Sequence, residues 1–538
     1  MILFKIIQVP LAINKILMSK DYSKLNKEEL LKIVEKLESR KKYGLIWDEE
    51  KVKEQFEKDA ENALPVLKEI KGKEIKDKND KPVNILIEGD NYHALSVLNF
   101  THQGKIDVIY IDPPYNTGNK DFVYDDNYVD KEDAYRHSKW LSFMSKRLKL
   151  AKNLLNENGI ILVSIDSIEL AQLKLLMNEI FGENNFVNII IWKKTNSPKA
   201  QASELGNQHE YVLFFAKNIN QLKINNIYRS FDEKSLKPYS YSDDKGKFRL
   251  IELEAQGSQR TENRKRVKFK GRLAPWLYSL QKLENWDKEG LIFTSKNGRF
   301  SKKQYLSDRE GVLVSDIWID EEIKPLQGSS DEYVNFLSQK PLSLIKRILK
   351  LHPNKNGIIL DFFAGSGTTG VATSLVNEND KGNRQFILCT YNKENGNGNI
   401  IDGYLYPRLK KIKSNLKYFK TKFIKNASNK DDFKIRITKE CTEMLCLREG
   451  IFDEIKKTND YRIFQQGDKT LAVYYALEHK TLSELKKELN KIDGEKIFYC
   501  FTLDPLGLDK SDFIGWKNVS LEPIPQKILD VYKQIYEY

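Results

Sequence analysis

The run Ile106-Asp107-Val108-Ile109-Tyr110-Ile111 is almost wholly apolar, and two prolines, Pro113 and Pro114, follow it directly. A short run that is apolar toward both faces is the pattern of a strand buried in a parallel sheet. Proline fixes φ and lacks an N–H, so the strand must stop there. Asp112 and Tyr115 therefore stand at the carboxyl end of a buried strand, the edge at which open α/β sheets bind ligands. The Pro-Pro step also turns outward a carbonyl that the sheet cannot use. Two acceptors result, the Asp112 carboxylate and the Pro113 carbonyl, beside one aromatic plate, Tyr115. That set suits a flat ring bearing an exocyclic amine. Asp-Pro and Pro-Pro are also ordinary turn punctuation, so the rest of the chain has to decide.

Its pattern is α/β. Val83 to Ile87 reads as a strand delivering Gly89-Asp90-Asn91 to its end, before a helix from Tyr92 to Leu98. Leu141, Met144, Leu148, Ala151 and Leu155 make an apolar stripe on a long helix expected to stop at Gly159. Strand Ile160 to Ile165, ending at Asp166, helix Leu170 to Phe181, strand Val187 to Trp192 and strand Tyr211 to Phe215 continue the alternation. This is a doubly wound sheet. From 217 to 335 the alternation is lost, and Arg260, Arg264, Lys265, Arg266, Lys268, Lys270 and Arg272 cluster there. Such a cluster is the footprint of phosphate contact, and its place between two halves of a sheet points to a substrate-reading insert.

The pattern resumes where Ser338-Gln339-Lys340-Pro341 opens a helix through Leu351, followed by strand Ile358 to Leu360 and the loop Asp361-Phe362-Phe363-Ala364-Gly365-Ser366-Gly367-Thr368-Thr369-Gly370. Glycines at a strand-to-helix turn let a ligand approach the backbone, and the helix start offers free N–H groups. Gly365 to Gly370 also fits the dinucleotide fingerprint G-x-G-x-x-G. A dinucleotide site wants an acid ending the next strand. Gln385 to Cys389 ends instead in Thr390-Tyr391, with Glu394 the first acid afterwards. That reading loses its second half.

At 538 residues, 40% hydrophobic and 31% charged, the chain is long enough for two or three domains with ample core. We divide it into an N-terminal helical region 1–80, a core half at 81–216, the insert 217–335, a second core half at 336–428 and a small α+β interaction module at 429–538. The net charge of +13, with 26 Tyr, 26 Phe and 7 Trp, points to a polyanionic partner. Residues 1–17 are apolar but broken by Pro10 and Lys15, too short to span a bilayer, and expected to be an upstream start or a tail rather than a signal peptide. Lys27 to Arg40 has helical spacing, and KKYGLIW follows at 41–47. Arg408 to Lys425 holds eight basic residues without an intervening acid, expected as a phosphate-tracking helix or an exposed lysine face. The terminal module reads as strands Leu471 to Tyr475 and Lys496 to Phe501 around helix Leu482 to Leu489. Cys389, Cys441, Cys446 and Cys500 form no C-x-x-C pair and the six histidines show no metal-ligand spacing, so reduced core thiols in a cytoplasmic protein are expected.

Together, Asp112-Pro-Pro-Tyr and the Asp361 to Gly370 loop resemble the two motifs of S-adenosylmethionine-dependent amino-methyltransferases acting on DNA. The catalytic motif precedes the cofactor loop with the insert between them, an order that resembles the β class. Gly89-Asp90, the strand to Asp166, His209-Glu210-Tyr211 and Gln339-Lys340-Pro341 fall where that class carries lesser motifs. KKYGLIW, and Asn116-Thr117-Gly118 after Tyr115, narrow the resemblance to modification (Mod) subunits of type III restriction-modification systems over roughly residues 27–425. The resemblance implies a mixed sheet of the class I methyltransferase type with an inserted target recognition domain, and catalysis by Asp112, Pro113, Pro114 and Tyr115. It implies S-adenosylmethionine held by Asp361, Phe363, Gly365, Gly367 and Thr368, by Asp90 at the adenine, and by Asn116, Gln339 and Lys340. It further implies double-stranded DNA as substrate, a homodimer, and a separate restriction subunit, since the chain has no G-x-x-x-x-G-K-[ST] motif for nucleoside-triphosphate-driven cleavage. Relatives of this kind usually place an acid where Thr390 stands. Asp before Pro-Pro-Tyr favours adenine N6; cytosine N4 is the alternative within the family, and a non-catalytic DNA-binding or dinucleotide-binding protein the alternative outside it.

Overall fold

The chain's structure, a computed structural model, describes Lys27, Leu30, Trp47 and most of residues 63–536. The gaps are 78–81, 119–122, 125–126, 129–132, 134, 198–204, 257–264, 337, 393–398, 426–429, 479 and 505–507. Residues 1–48 and 49–538 are two contact units. The expected helix at Lys27 to Arg40, KKYGLIW and the apolar start lie almost wholly outside the described residues.

Among the described residues ten strands form one mixed sheet: β1 (Ala63–Glu69), β2 (Asn84–Glu88), β3 (Ile106–Ile111), β4 (Leu155–Ile165), β5 (Phe186–Lys193), β6 (His209–Ala216), β7 (Ile317–Trp318), β8 (Ile358–Asp361), β9 (Gln385–Thr390) and β10 (Leu416–Lys425). They lie in the order β1-β10-β2-β9-β8-β3-β4-β6-β5-β7. From β10 to β4 every neighbour is parallel, whereas β6 is antiparallel to both β4 and β5. All six residues of β3 are buried, as its unbroken apolar run requires. Alternate residues serve opposite faces. Val108, Tyr110, Ile160, Leu162 and Phe386 pack with Leu344, Ile345 and Ile348 of helix α4 (Leu342–Leu351) and Ala372 and Val376 of α5 (Thr368–Asp380). Ile109, Ile111, Ile161 and Val163 are as fully buried. Theirs is the face of α1 (Asn91–Thr101), α2 (Arg136–Leu154) and α3 (Leu170–Phe181), which pack on one another in sequence.

Two expectations are corrected here. Helix α2 ends at Leu154, and Gly159 is not its stop but lies inside β4. A Cβ at Gly159 would stand 2.9 Å from the Asn156 carbonyl and 3.0 Å from that of Ile106, so the residue is small because two backbones meet where the β3–β4 register shifts. Likewise, Leu416 to Lys425 is a strand and not a phosphate-tracking helix. Lys417 pairs with Glu69 at 2.7 Å and Glu74 at 3.0 Å, and Lys420 with Glu88 at 2.7 Å. Lys417 and Lys420 thus neutralise acids beside the strand.

The insert holds a four-stranded antiparallel sheet (241–243, 246–252, 300–305, 292–294) and a hairpin (267–269, 272–274) over a small core of Leu253, Phe269, Trp276, Leu283 and Phe300. Its last strand, β7, returns to the edge of the main sheet beside β5. Beyond β10, helices α6 (Lys430–Glu440) and α7 (Thr442–Glu449) lead into a second sheet of five strands, β11 (Asp453–Lys457), β12 (Tyr461–Gln466), β13 (Lys469–Tyr474), β14 (Glu495–Phe501) and β15 (Val519–Ile524). Helix α8 (Leu482–Lys491) joins the parallel β13 and β14, the β-α-β unit expected, and α9 (Gln526–Tyr536) follows β15. This part is not separate from the core: Lys68 pairs with Glu440 at 2.8 Å, and the Tyr532 hydroxyl donates to the Pro65 carbonyl. All four cysteines are free and buried.

Candidate active site

The carboxyl ends of β3, β8 and β5 and the start of antiparallel β6 share one edge, so topology alone brings Asp112, Asp361, Lys194 and Glu210 together. Asp112 follows β3 with both carboxylate oxygens engaged. The Tyr115 hydroxyl donates to its Oδ1 at 2.9 Å, and Lys340 Nζ lies 2.8 Å from its Oδ2. The same hydroxyl is 3.2 Å from Glu210 Oε2, and Lys340 Nζ is 3.6 Å from that oxygen. Glu210 Oε1 takes Lys194 Nζ at 3.3 Å. The Lys340 ammonium also lies 5.0 Å from the centre of the Tyr115 ring. The Pro-Pro step is anchored by Trp140, a fully buried residue of α2 whose Nε1 donates to the Pro114 carbonyl at 2.7 Å. Among the described residues no hydrogen bond reaches the Pro113 carbonyl.

Burial pushes the Asp112 carboxyl up from its ordinary value, and Lys340 pulls it back. Burial alone would depress the Lys340 ammonium, but Asp112 and then Glu210 outweigh it and hold it above its ordinary value. The Tyr115 phenol is raised far above its usual range by burial and then by Asp112 and Glu210, so it stays a neutral donor. Two carboxylates face two ammoniums, Lys340 between them and Lys194 on the far side of Glu210, and the buried Asp112–Lys340 pair is shielded from water, where each partner matters more than it would at the surface.

Beside it, β8 ends in Asp361, a buried carboxyl that accepts from Phe363 N at 3.0 Å and Thr369 Oγ1 at 2.5 Å. Burial lifts it to about 7. Gly365 and Gly367 have φ of +47° and +78°, left-handed values that glycine adopts without strain. A Cβ on Gly367 would lie 2.9 Å from Leu405. Arg408 donates to the Ser366 carbonyl at 2.8 Å and the Thr368 hydroxyl at 3.2 Å, clamping the loop. The basic cluster that ends in Lys425 thus loses this arginine too as a phosphate contact.

Asp90 caps α1 through Tyr92 N at 2.8 Å and lies 3.4 Å from Arg147. Asn91 bridges to the Phe362 carbonyl at 3.0 Å, and Arg147 stacks 3.6 Å over Phe143, itself 5.9 Å from Phe363. Asp90 and Phe363 therefore line one wall. Asn116, buried with φ of +59°, donates to Glu169 Oε1 at 2.5 Å and to the Arg136 carbonyl at 3.2 Å, while its Oδ1 has no partner. Two expected cofactor residues go elsewhere. Gln339 spends its amide on the Glu332 carbonyl and Val334 N, and Lys340 sits on Asp112 and Glu210. In the insert, Arg272 pairs with Glu254 at 2.6 Å and Lys270 with Asp287 at 2.8 Å, so these two brace the fold. Lys265, Arg266 and Lys268 are exposed; Arg260 and Arg264 lie outside the described residues. Glu210 stood out in the sequence only as part of the His209-Glu210-Tyr211 motif, with no role, and Lys194 did not stand out at all. The start of an antiparallel strand at the ligand edge was the available signal for Glu210.

The family model described as DNA methylase matches residues 106–402, from the first residue of β3 to beyond the glycine loop. The chain belongs to the DNA methylase family. Its sheet sets the glycine-loop strand β8 directly beside β3, the Asp-Pro-Pro-Tyr strand. The chain is 33% identical over 358 residues to the type III restriction-modification enzyme StyLTI Mod subunit of Salmonella typhimurium, covering 60% of this chain and 54% of that protein. It is 31% identical over 340 residues to the type II methyltransferase M.KpnI of Klebsiella pneumoniae, covering 56% and 79%. With the EcoP15I Mod subunit of Escherichia coli it shares 28% over 436 residues, covering 67% and 66%. The chain thus spans about half the length of the StyLTI subunit.

Proposed function

We propose that this chain is a site-specific DNA adenine-N6 methyltransferase that uses S-adenosylmethionine, and the modification subunit of a type III restriction-modification system. The carrying observation is the Asp112 carboxylate beside an unclaimed Pro113 carbonyl and the Tyr115 ring, on the same sheet edge as the glycine loop. An exocyclic amine is a poor nucleophile because its lone pair is delocalised into the ring. Drawing both N–H bonds toward acceptors localises that pair. Asp112 and the Pro113 carbonyl supply the two acceptors. Asp112 Oδ1 has a second lone pair, so it can accept the amine while keeping the Tyr115 hydroxyl. The target base must leave the duplex stack, and the Tyr115 ring receives its face.

The residues present fit the cofactor. Gly365 and Gly367 hold left-handed turns with no room for a Cβ beside Phe336 and Leu405, which leaves the loop backbone bare for a ligand, and Asn116 Oδ1 is an orphaned acceptor that suits an ammonium group. Asp361, Phe363, Gly365, Gly367 and Thr368 would hold its methionine end and Asp90 its adenine. When bound, it supplies a sulfonium methyl. The protein's own contribution is then orientation and preorganised charge. Exposed Lys265, Arg266 and Lys268 would meet phosphates. The names of the StyLTI and EcoP15I relatives support a type III system, and in such a system we place this chain in the cytoplasm with a separate restriction subunit and a second copy of itself as partners. No described helix is long and apolar enough to cross a membrane.

Tritium transfer from labelled S-adenosylmethionine to unmethylated genomic DNA, followed by single-molecule sequencing, tests this. The expected product is N6-methyladenine at one recognition sequence. Asp112→Ala should lose at least on the order of 10²-fold in transfer while binding the cofactor as the wild type does. Methylcytosine as product, or an active Asp112→Ala variant, would overturn the assignment.

A further inference from the structure

We propose that Glu210 is the proton acceptor of the methylation reaction, reached from Asp112 through the Tyr115 hydroxyl. The inference rests on the function proposed above. The amine lone pair forms the new nitrogen–carbon bond while the carbon–sulfur bond breaks and its electron pair goes to sulfur. The nitrogen is left with a positive charge and one proton too many. One N–H bond then breaks, its electron pair stays on nitrogen, and the proton passes to Asp112 Oδ1. Asp112 cannot keep it, because the next amine needs that oxygen ionised.

The way out is laid down in side chains. The Tyr115 hydroxyl lies 2.9 Å from Asp112 Oδ1 and 3.2 Å from Glu210 Oε2, so it can accept from one as it gives its own proton to the other. Tyr115 ends this exchange neutral. Lys340, the other group between the two carboxylates at 2.8 Å and 3.6 Å, is already an ammonium and has no room for a proton. Glu210 is therefore the terminus. Its far oxygen is 3.3 Å from Lys194, whose side chain is 34% exposed, so a proton on Glu210 has water at hand. The charged and titratable groups facing Glu210 are Tyr110 within β3, Asp112 and Tyr115 beyond its end, Lys340 ahead of α4 and Lys194 beyond β5. Asp361 at the end of β8 acts on this set through its field at Tyr110 and at Asp112. Its own oxygens are held by Thr369 and Phe363.

Single-turnover methylation of unmethylated genomic DNA by the full-length protein tests the relay in Glu210→Gln, which keeps the shape of the side chain. The rate is expected to fall on the order of 10²-fold, to climb with pH more steeply than the wild-type rate, and to recover in part when imidazole or formate is added. Calorimetric affinities for S-adenosylmethionine and DNA should stay at wild-type values. Tyr115→Phe, which keeps the aromatic plate and removes the hydroxyl, should show the same response to pH and added base. A Glu210→Gln rate equal to that of the wild type, or a slow rate indifferent to both pH and added base, overturns the relay. A wild-type protein that transfers no methyl group would instead overturn the function on which it rests.

Discussion

At the scale of single residues, the groups that end strands were legible and the groups that pair with them were not. Asp112 and Asp361 could be placed because an apolar run ends on each, a local pattern. Lys340 meets Asp112 across 228 positions, and nothing near either residue announces the pairing. Arg408 and Lys417 were misread for a related reason: a lysine that neutralises a neighbouring strand looks, in sequence, like one that awaits a phosphate. Asp361 carries a prediction. A carboxyl in an unfolded chain ionises near pH 4, whereas burial lifts Asp361 to about 7 in the fold. Between those values the folded state holds the extra proton, so this group's contribution to stability is present at low pH and is lost as pH rises, completely above about 7. Within that window the loss runs at roughly 1.4 kcal/mol per pH unit. Asp361→Asn removes the titrating group. Thermal melts from pH 5 to 8 should therefore show a shallower decline with rising pH in the variant than in the wild type, and equal slopes would refute the assignment.

At the scale of elements, alternating βα units were readable because each strand is bounded by its own punctuation, and β3, α3 and β9 lie within a residue or so of expectation. The insert was not readable. Its strands are two to seven residues long and half exposed, so neither period nor burial shows in the sequence. The hairpin 267–274 instead lets the basic cluster be divided by partner. Lys270 and Arg272 are engaged with acids, while Lys265, Arg266 and Lys268 point no charge at any described residue. Replacing those three with Ala should weaken binding to all DNA sequences alike and lower the slope of log affinity against log salt by about 3. Fluorescence anisotropy at several salt concentrations reads both. Replacing Lys270 and Arg272 should leave that slope nearly as it was. A triple variant with an unchanged slope would make the cluster a solvated loop.

For the whole molecule, helix α1 ties the core to the C-terminal part. Every residue from Tyr92 to Thr101 is buried, which a helix on the outside of a two-layered sheet could not achieve. The sheet covers one side of α1 and α2 another, and α7 and α9 cover the rest. The Arg448 guanidinium lies 4.8 Å over the Phe100 ring, and Lys68 of β1 pairs with Glu440 and Glu443. Residues 430–538 are thus part of the core's own packing, whatever else they bind. Removing them uncovers α1 and the outer side of β1, each buried large side chain representing about 1.5–3 kcal/mol. A chain ending at Lys425 should melt roughly 10 °C or more below the full-length protein, or aggregate. Calorimetry of the full-length protein should show the core and the C-terminal sheet unfolding in one transition. A truncated protein that stays soluble and melts at the full-length temperature would show that the two parts are thermodynamically independent.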